Sequence, residues 1–199
     1  MLRNVGIYIY DQVEVLDFAG PFEVFHTASR VWLRENPQEE APFNVFTIGA
    51  EDRPMRARGE LQVIPHYTIR NHPRLDILVI PGGVTAAEQE RPELLEWIKQ
   101  QSSTVEVLAS VCTGAFLLAE AGLIHDHSVT THWEDIQPLR EAFPELDVVE
   151  DERFIDTGDI LSSAGISAGI DMSLYLVGRL MGDDLAIKTA RQMDYRWMK

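Results

Sequence analysis

The chain has one cysteine, Cys112, placed between an apolar run at 105–111 and a stretch with helical spacing at 113–123. A thiol at such a strand-to-helix junction would face the free N–H groups and dipole of a helix N-terminus, which stabilise a thiolate. An ordinary free thiol is only about 3% ionised at neutral pH. The placement therefore predicts a depressed pKa and nucleophilic reactivity. A small, inert core cysteine is the competing reading, and Gly114 beside the junction tilts the balance towards function. A second junction, Gly165–Gly169, spells G-x-S-x-G around Ser167, the pattern of a nucleophile elbow. Hydrolases of that kind need a histidine after the serine. His26, His66, His72, His125, His127 and His132 all precede Ser167, so the reading fails on chain order. Its glycines are expected to allow a tight turn and close packing near Cys112.

Asp17, in VEVLDFAGPFEVF, is the acid of interest. It is expected just before a helix in apolar surroundings, where it could cap the helix, act in proton transfer, or both. Desolvation and a nearby thiolate should leave it protonated near neutrality and donating towards the sulfur. His125 and His127 flank Asp126, but no third metal ligand is evident, and a turn is the simpler reading. His132-Trp133-Glu134 has the form of a base and its orienter, although it follows Cys112 too closely for an amidotransferase pair. There is no G-x-G-x-x-G and no phosphate-binding G-x-x-x-x-G-K, so nucleotide binding has no support.

The elements that must position these residues alternate. Buried strands are predicted at 5–10, 43–49, 75–83 and 105–111, and a short one at 128–132. Helices are predicted at 18–33, 91–101, 113–123, 133–143, 166–182 and 183–198, with Pro21 near the start of the first and Asp183 capping the last. Residues 50–66, with Arg53, Arg56 and Arg58 around Met55, read as a hairpin or excursion, and 148–165 as strand, turn, strand. Such alternation implies an α/β fold: a mostly parallel sheet with helices on both faces. Ligands in these sheets bind beyond the carboxyl ends of the strands. That rule selects the junctions near Asp17, Gly82-Gly83, Cys112 and Gly165.

The chain is 199 residues long, 45% hydrophobic and 25% charged, which fits one globular domain over 1–199. Seventeen basic against 32 acidic residues give a net charge of −15. That surface repels phosphate backbones and anionic lipid, so nucleic-acid binding by this chain alone and membrane association are not expected. The acidic stretch 141–159 reads as a solvated hairpin face. A lone cysteine excludes an internal disulfide and a Cys-rich zinc site. The first residues do not form a signal peptide and no apolar run is long enough to span a bilayer. A cytoplasmic protein is expected.

LDFAGPFEVF (16–25), LVIPGG (78–83), SVCTGAFLLAEAGL (110–123), TTHW (130–133) and SSAGISAGIDMSLYLV (162–177) follow one another along nearly the whole chain. Together they resemble the ThiJ/PfpI superfamily, whose fold is flavodoxin-like and of the class I glutamine amidotransferase type. The branch most similar holds isocyanide hydratases and the sensor domains of AraC-type regulators, which append a helix-turn-helix region not expected before Lys199. The resemblance implies that Cys112 is the nucleophile, Asp17 the acid that contacts it, and Thr113 a catalytic neighbour. It implies that Gly82, Gly83, Gly165, Ile166 and His132 bind substrate or the developing charge, with the Gly83 and Thr113 N–H groups facing the reacting atom. Thr113 stands where the protease branch has histidine, and Ala19 where the hydratases have threonine. The implied activity is hydration of a small electrophile such as an isocyanide, without metal or organic cofactor, in a homodimer. A glyoxalase-type activity on dicarbonyls and a non-catalytic sensor are the alternatives.

Overall fold

A computed structural model describes residues 2–197. Its strands are β1 (Arg3–Ile9), β2 (Phe43–Gly49), β3 (Met55–Arg56), β4 (Gln62–Val63), β5 (Tyr67–Thr68), β6 (Ile77–Ile80), β7 (Val107–Val111), β8 (Ser128–Val129), β9 (Asp147–Val148), β10 (Phe154–Asp156) and β11 (Ile160–Ser163). Its α-helices are α1 (Val15–Glu35), α2 (Ala86–Gln89), α3 (Pro92–Ser102), α4 (Gly114–Glu120), α5 (Ile136–Ala142), α6 (Ala168–Met181) and α7 (Asp183–Gln192).

The main sheet runs β10-β11-β7-β6-β1-β2-β5 and is parallel except for the β10–β11 hairpin at one edge. The central strands β6 and β7 are buried along their whole length, as expected of apolar runs covered on both faces. Helices α1, α6 and α7 pack together against one face, and α2, α3 and α4 against the other. The chain leaves β1 towards β2 on one side and returns to β6 on the other. The order therefore reverses between β1 and β6, which opens a crevice at the carboxyl end of the sheet.

Several boundaries differ from the sequence reading. α1 starts at Val15, capped by the Glu14 carboxylate, so Asp17 lies inside the first turn rather than before it. Glutamate is a weak cap by residue type, which hid this start. The apolar run 75–83 is strand only to Ile80, and Pro81–Gly83 forms a strap across the crevice. Gly83 bridges Val13 there. The excursion at 50–66 is a short β3–β4 hairpin around a 3-10 turn. The strand foreseen at 128–132 is only β8, paired with β9, and the following helix opens as a 3-10 turn, Trp133–Asp135. α7 ends at Gln192 and is capped by Gly182, with Asp183 its first residue. Met198, the end of the helix foreseen there, lies outside the described residues.

Candidate active site

Cys112 follows β7 directly and adopts φ 55°, a left-handed conformation that non-glycine residues rarely hold. Its backbone is held at both ends: the N–H donates to Ser163 O at 3.1 Å, and its carbonyl accepts from Thr131 Oγ1 at 2.8 Å. The turn also needs Gly114, because a Cβ there would lie 2.0 Å from the Ile80 carbonyl oxygen. The result is a thiol only 7% exposed.

Asp17 reaches the same pocket from α1 and is fully buried. Its Oδ2 accepts the Gly82 N–H at 3.0 Å, while Oδ1 is left without a well-placed partner. Burial, reinforced by the Glu14 charge, raises its pKa to about 7; the Gly82 N–H, the Cys112 thiol and the Ile166 N–H pull the other way. An aspartate half-ionised near neutrality fits proton transfer.

The thiol departs from the expected depression. Burial first, then the Asp17 charge and that of Asp135, push Cys112 up to about 12, against the Thr113 amide and hydroxyl that favour the thiolate. Desolvation outweighs the N-terminal N–H groups of α4, a helix of seven residues. The Asp17 carboxylate raises the thiol's pKa, while the protonated thiol favours the carboxylate, so the pocket holds one negative charge at most. Near neutral pH Asp17 is about half ionised and carries that charge when it is present, and the thiol keeps its proton.

The strap is fastened to the Cys112 turn by Thr113. Its Oγ1 accepts the Gly83 N–H at 2.9 Å and donates to the Gly83 carbonyl at 3.0 Å. The Gly83 N–H expected to face the reacting atom is thus held by this hydroxyl, and the Gly82 N–H is held by Asp17. The Thr113 amide faces the sulfur as expected.

His132 caps the 3-10 turn, and its Nδ1 accepts the Glu134 N–H at 3.4 Å. Asp135 and Glu134 lie at 3.5 and 3.7 Å from the same nitrogen. The ring rests on Gly165, where a Cβ would lie 2.0 Å from the imidazole Cδ2. No hydrogen bond joins it to the thiol. Beside it opens a cleft of about 710 Å³ walled by Thr131, His132, Trp133, Arg153, Gly165 and Ile166. Trp133 is 76% exposed on its rim.

Ile166 is the second left-handed residue of the site, at φ 54°. Ser167 after it has ordinary helical angles and stands at the N-cap position of α6, with no capping bond from its side chain. The strained position of this turn therefore belongs to isoleucine, and the serine is not presented as an elbow nucleophile. His127 stands 3.7 Å from Asp126. Among the described residues no three His, Cys, Asp or Glu side chains gather for a metal ion. Two participants escaped the sequence reading. Glu14 both caps α1 and acts on Asp17, and Tyr10 donates to the Pro81 carbonyl at 3.2 Å. Neither has a motif that would single it out.

The chain is similar to several known proteins. An isonitrile hydratase of Pseudomonas putida is 30% identical over 198 residues, covering 98% of this chain and 79% of that protein. The transcriptional regulator GbdR of Pseudomonas aeruginosa is 28% identical over 193 residues, and the chain spans about half (51%) of its length while 97% of this chain is covered. A ThiJ/PfpI family protein from Pseudomonas syringae superposes with a TM-score of 0.86 at 22% identity, over 100% of this chain and 77% of that one. An AraC family regulator from Pseudomonas putida gives 0.78 at 21%, over 96% and 99%. The DJ-1/PfpI family pattern matches residues 3–179, and the chain belongs to that family.

Proposed function

We propose that this protein is a cofactor-independent cysteine hydratase that converts a small isocyanide to an N-formamide. The reading is carried by one observation: the buried Cys112 thiol and the buried Asp17 carboxyl share one pocket, where burial holds the carboxyl's pKa near 7. The isonitrile hydratase relative supports the substrate class.

Asp17, as the carboxylate, takes the Cys112 proton while sulfur attacks the terminal carbon of R–NC. A sulfur–carbon bond forms, and the carbon takes the proton from Asp17 to give a thioimidate, S–CH=N–R. Water then adds to that carbon, and one of its protons passes through Asp17 to the nitrogen, giving S–CH(OH)–NH–R. The carbon–sulfur bond breaks as the hydroxyl oxygen becomes a carbonyl, its proton passes by way of Asp17 to the sulfur, and R–NH–CHO leaves. The sum is R–NC plus water. The Thr113 amide facing the sulfur stabilises the charge that builds there. Because the Gly83 N–H is occupied, the strap acts by fixing Thr113 and Asp17 rather than as an open oxyanion hole. His132, Gly165 and Ile166 shape the substrate side of the cleft. The working unit is a cytoplasmic homodimer.

The test is turnover of a small alkyl isocyanide, followed by formamide formation. Many turnovers per chain are expected, with none in Cys112→Ala. As Asp17 acts from its ionised form, kcat/KM should rise with pH and level off above about 7. A fall above pH 7 would mean that the protonated acid is the active form. A single stoichiometric reaction, or ligand binding without product, would favour the second reading, a sensor, which the likeness to the regulators supports. Methylglyoxal consumption with no isocyanide turnover would point to the glyoxalase-type alternative.

A further inference from the structure

We propose that Tyr10 is a positioning residue: its hydroxyl, bonded to the Pro81 carbonyl, fixes the peptide plane that aims the Gly82 N–H at Asp17. The inference deepens the proposed role of the Cys112–Asp17 pair and rests on it.

The Pro81 carbonyl and the Gly82 N–H belong to one peptide group. In a planar trans peptide the oxygen and the N–H point in opposite directions, so whatever holds the oxygen on one side sets the aim of the N–H on the other. Tyr10 holds the oxygen at 3.2 Å, and Asp17 Oδ2 receives the N–H at 3.0 Å. The next peptides are tied separately. Gly82 O accepts from Glu14 N at 2.9 Å, and Val84 N donates to Gln12 O at 3.1 Å. Those bonds leave the rotation of the 81–82 plane to Tyr10 and Asp17. Donation to the carbonyl also polarises the amide and strengthens its own N–H as a donor.

Tyr10 is suited to this task because it is itself fixed. It is buried at the end of β1 and stacked on Tyr8, with ring centroids 5.6 Å apart. Tyr8 is pinned by its hydroxyl to the Glu88 carboxylate, whose other oxygen lies 3.3 Å from Arg91. The groups facing Asp17 are Glu14 at the N-cap of α1, Tyr10 beyond β1 and Cys112 beyond β7.

Tyr10→Phe keeps the ring and its stack and removes only the latch. Two readouts need no substrate: the Asp17 carboxyl ¹³C shift against pH, and hydrogen exchange of the Gly82 amide. The Asp17 midpoint should move up by about half a pH unit or more, since a donor to the ionised form is loosened. Gly82 exchange should quicken about tenfold. Tyr8→Phe, which cuts the Glu88 bond one ring away, should move neither. 3-Fluorotyrosine at position 10, a stronger donor of nearly the same shape, should move the midpoint down. An unchanged midpoint in Tyr10→Phe, or an equal shift from Tyr8→Phe, overturns the proposal. If Tyr10→Phe does not fold, the fluorotyrosine arm decides: a downward shift supports the latch and no shift overturns it. Absence of isocyanide turnover alongside shifted midpoints removes the hydratase reading alone, and turnover with unshifted midpoints removes the latch alone.

Discussion

Two left-handed turns stand side by side at the carboxyl end of the sheet, at Cys112 after β7 and at Ile166 after β11. Both lead from a strand into a helix and both place a non-glycine residue near φ 55°. At Cys112 the turn drives a side chain inward, under the strap and against Asp17. At Ile166 the side chain stands outward, 39% exposed on the cleft, and the backbone N–H is turned towards Asp17. A β-branched residue in this region stores on the order of 1–3 kcal/mol of strain. The same backbone device thus serves two ends: one turn aims a thiol at Asp17, and its neighbour aims an N–H donor at the same carboxyl.

The two turns should break differently. Gly114→Ala sets a Cβ against the Ile80 carbonyl, with backbone on both sides and nothing free to yield. Loss of more than about 4 kcal/mol is expected, seen as a collapse of the chemical-denaturation midpoint or of soluble yield. Its counterpart, Gly165→Ala, meets an imidazole that can swing away. That should cost only about 1–2 kcal/mol and displace His132, visible in its ring NMR signals. Equal costs at the two sites would mean that the second turn is as rigid as the first.

Asp17→Asn tests whether the acid joins the two turns. Without a base for the thiol proton, turnover should fall on the order of 10²-fold. Alkylation of Cys112 at pH 8 should become faster, because a neighbouring charge that raises the thiol pKa is gone. Stability should move the opposite way from activity. Folding raises the Asp17 pKa from 3.8 to about 7. The protonated acid is therefore favoured in the fold; its contribution is complete below pH 3.8 and lost as pH rises through about 7. At roughly 1.4 kcal/mol per unit, the loss is on the order of 4 kcal/mol. The neutral amide of Asp17→Asn escapes that loss, so the variant should be more stable than the parent by about 2–4 kcal/mol at pH 8. The advantage should vanish near pH 4. Equal stability at both pH values would show that Asp17 does not carry the buried charge.

The smallest effect is expected at the outward turn. Asparagine tolerates the left-handed region, so Ile166→Asn should gain up to about 1 kcal/mol and change turnover less than threefold. A large loss of activity would make the isoleucine side chain, and not its backbone, the reason for the turn.

These contrasts bear on what the sequence reveals. Cys112, Asp17, Gly82 and Gly165 could be located because apolar strands and helical spacing mark strand-to-helix junctions, and the family motifs fall on them. The reversal of strand order between β1 and β6 follows from pairing between distant segments, which no local pattern encodes. The thiol's raised pKa was missed for a related reason. A helix N-terminus is legible at 113–114, whereas the desolvation that overrides it comes from the strap, α1 and the Ile166 turn together. Ile166 was reached through the family resemblance, but its left-handed backbone has no local signal, since isoleucine is among the residues least expected at positive φ.

The site draws on positions 17, 82, 112, 132 and 166, so it closes only after most of the chain exists. During synthesis Cys112 emerges well before β11 and α6, the segment that supplies Ser163 and Ile166 to its turn. Until that segment pairs with β7, the thiol lacks part of its cover and its exposure follows the unfolded ensemble. A nascent chain is then more open to oxidation at this cysteine than the finished fold. Chains that stall before residue 160 should accumulate sulfenic acid at Cys112 under mild peroxide, while completed chains pulse-treated in the same way resist it.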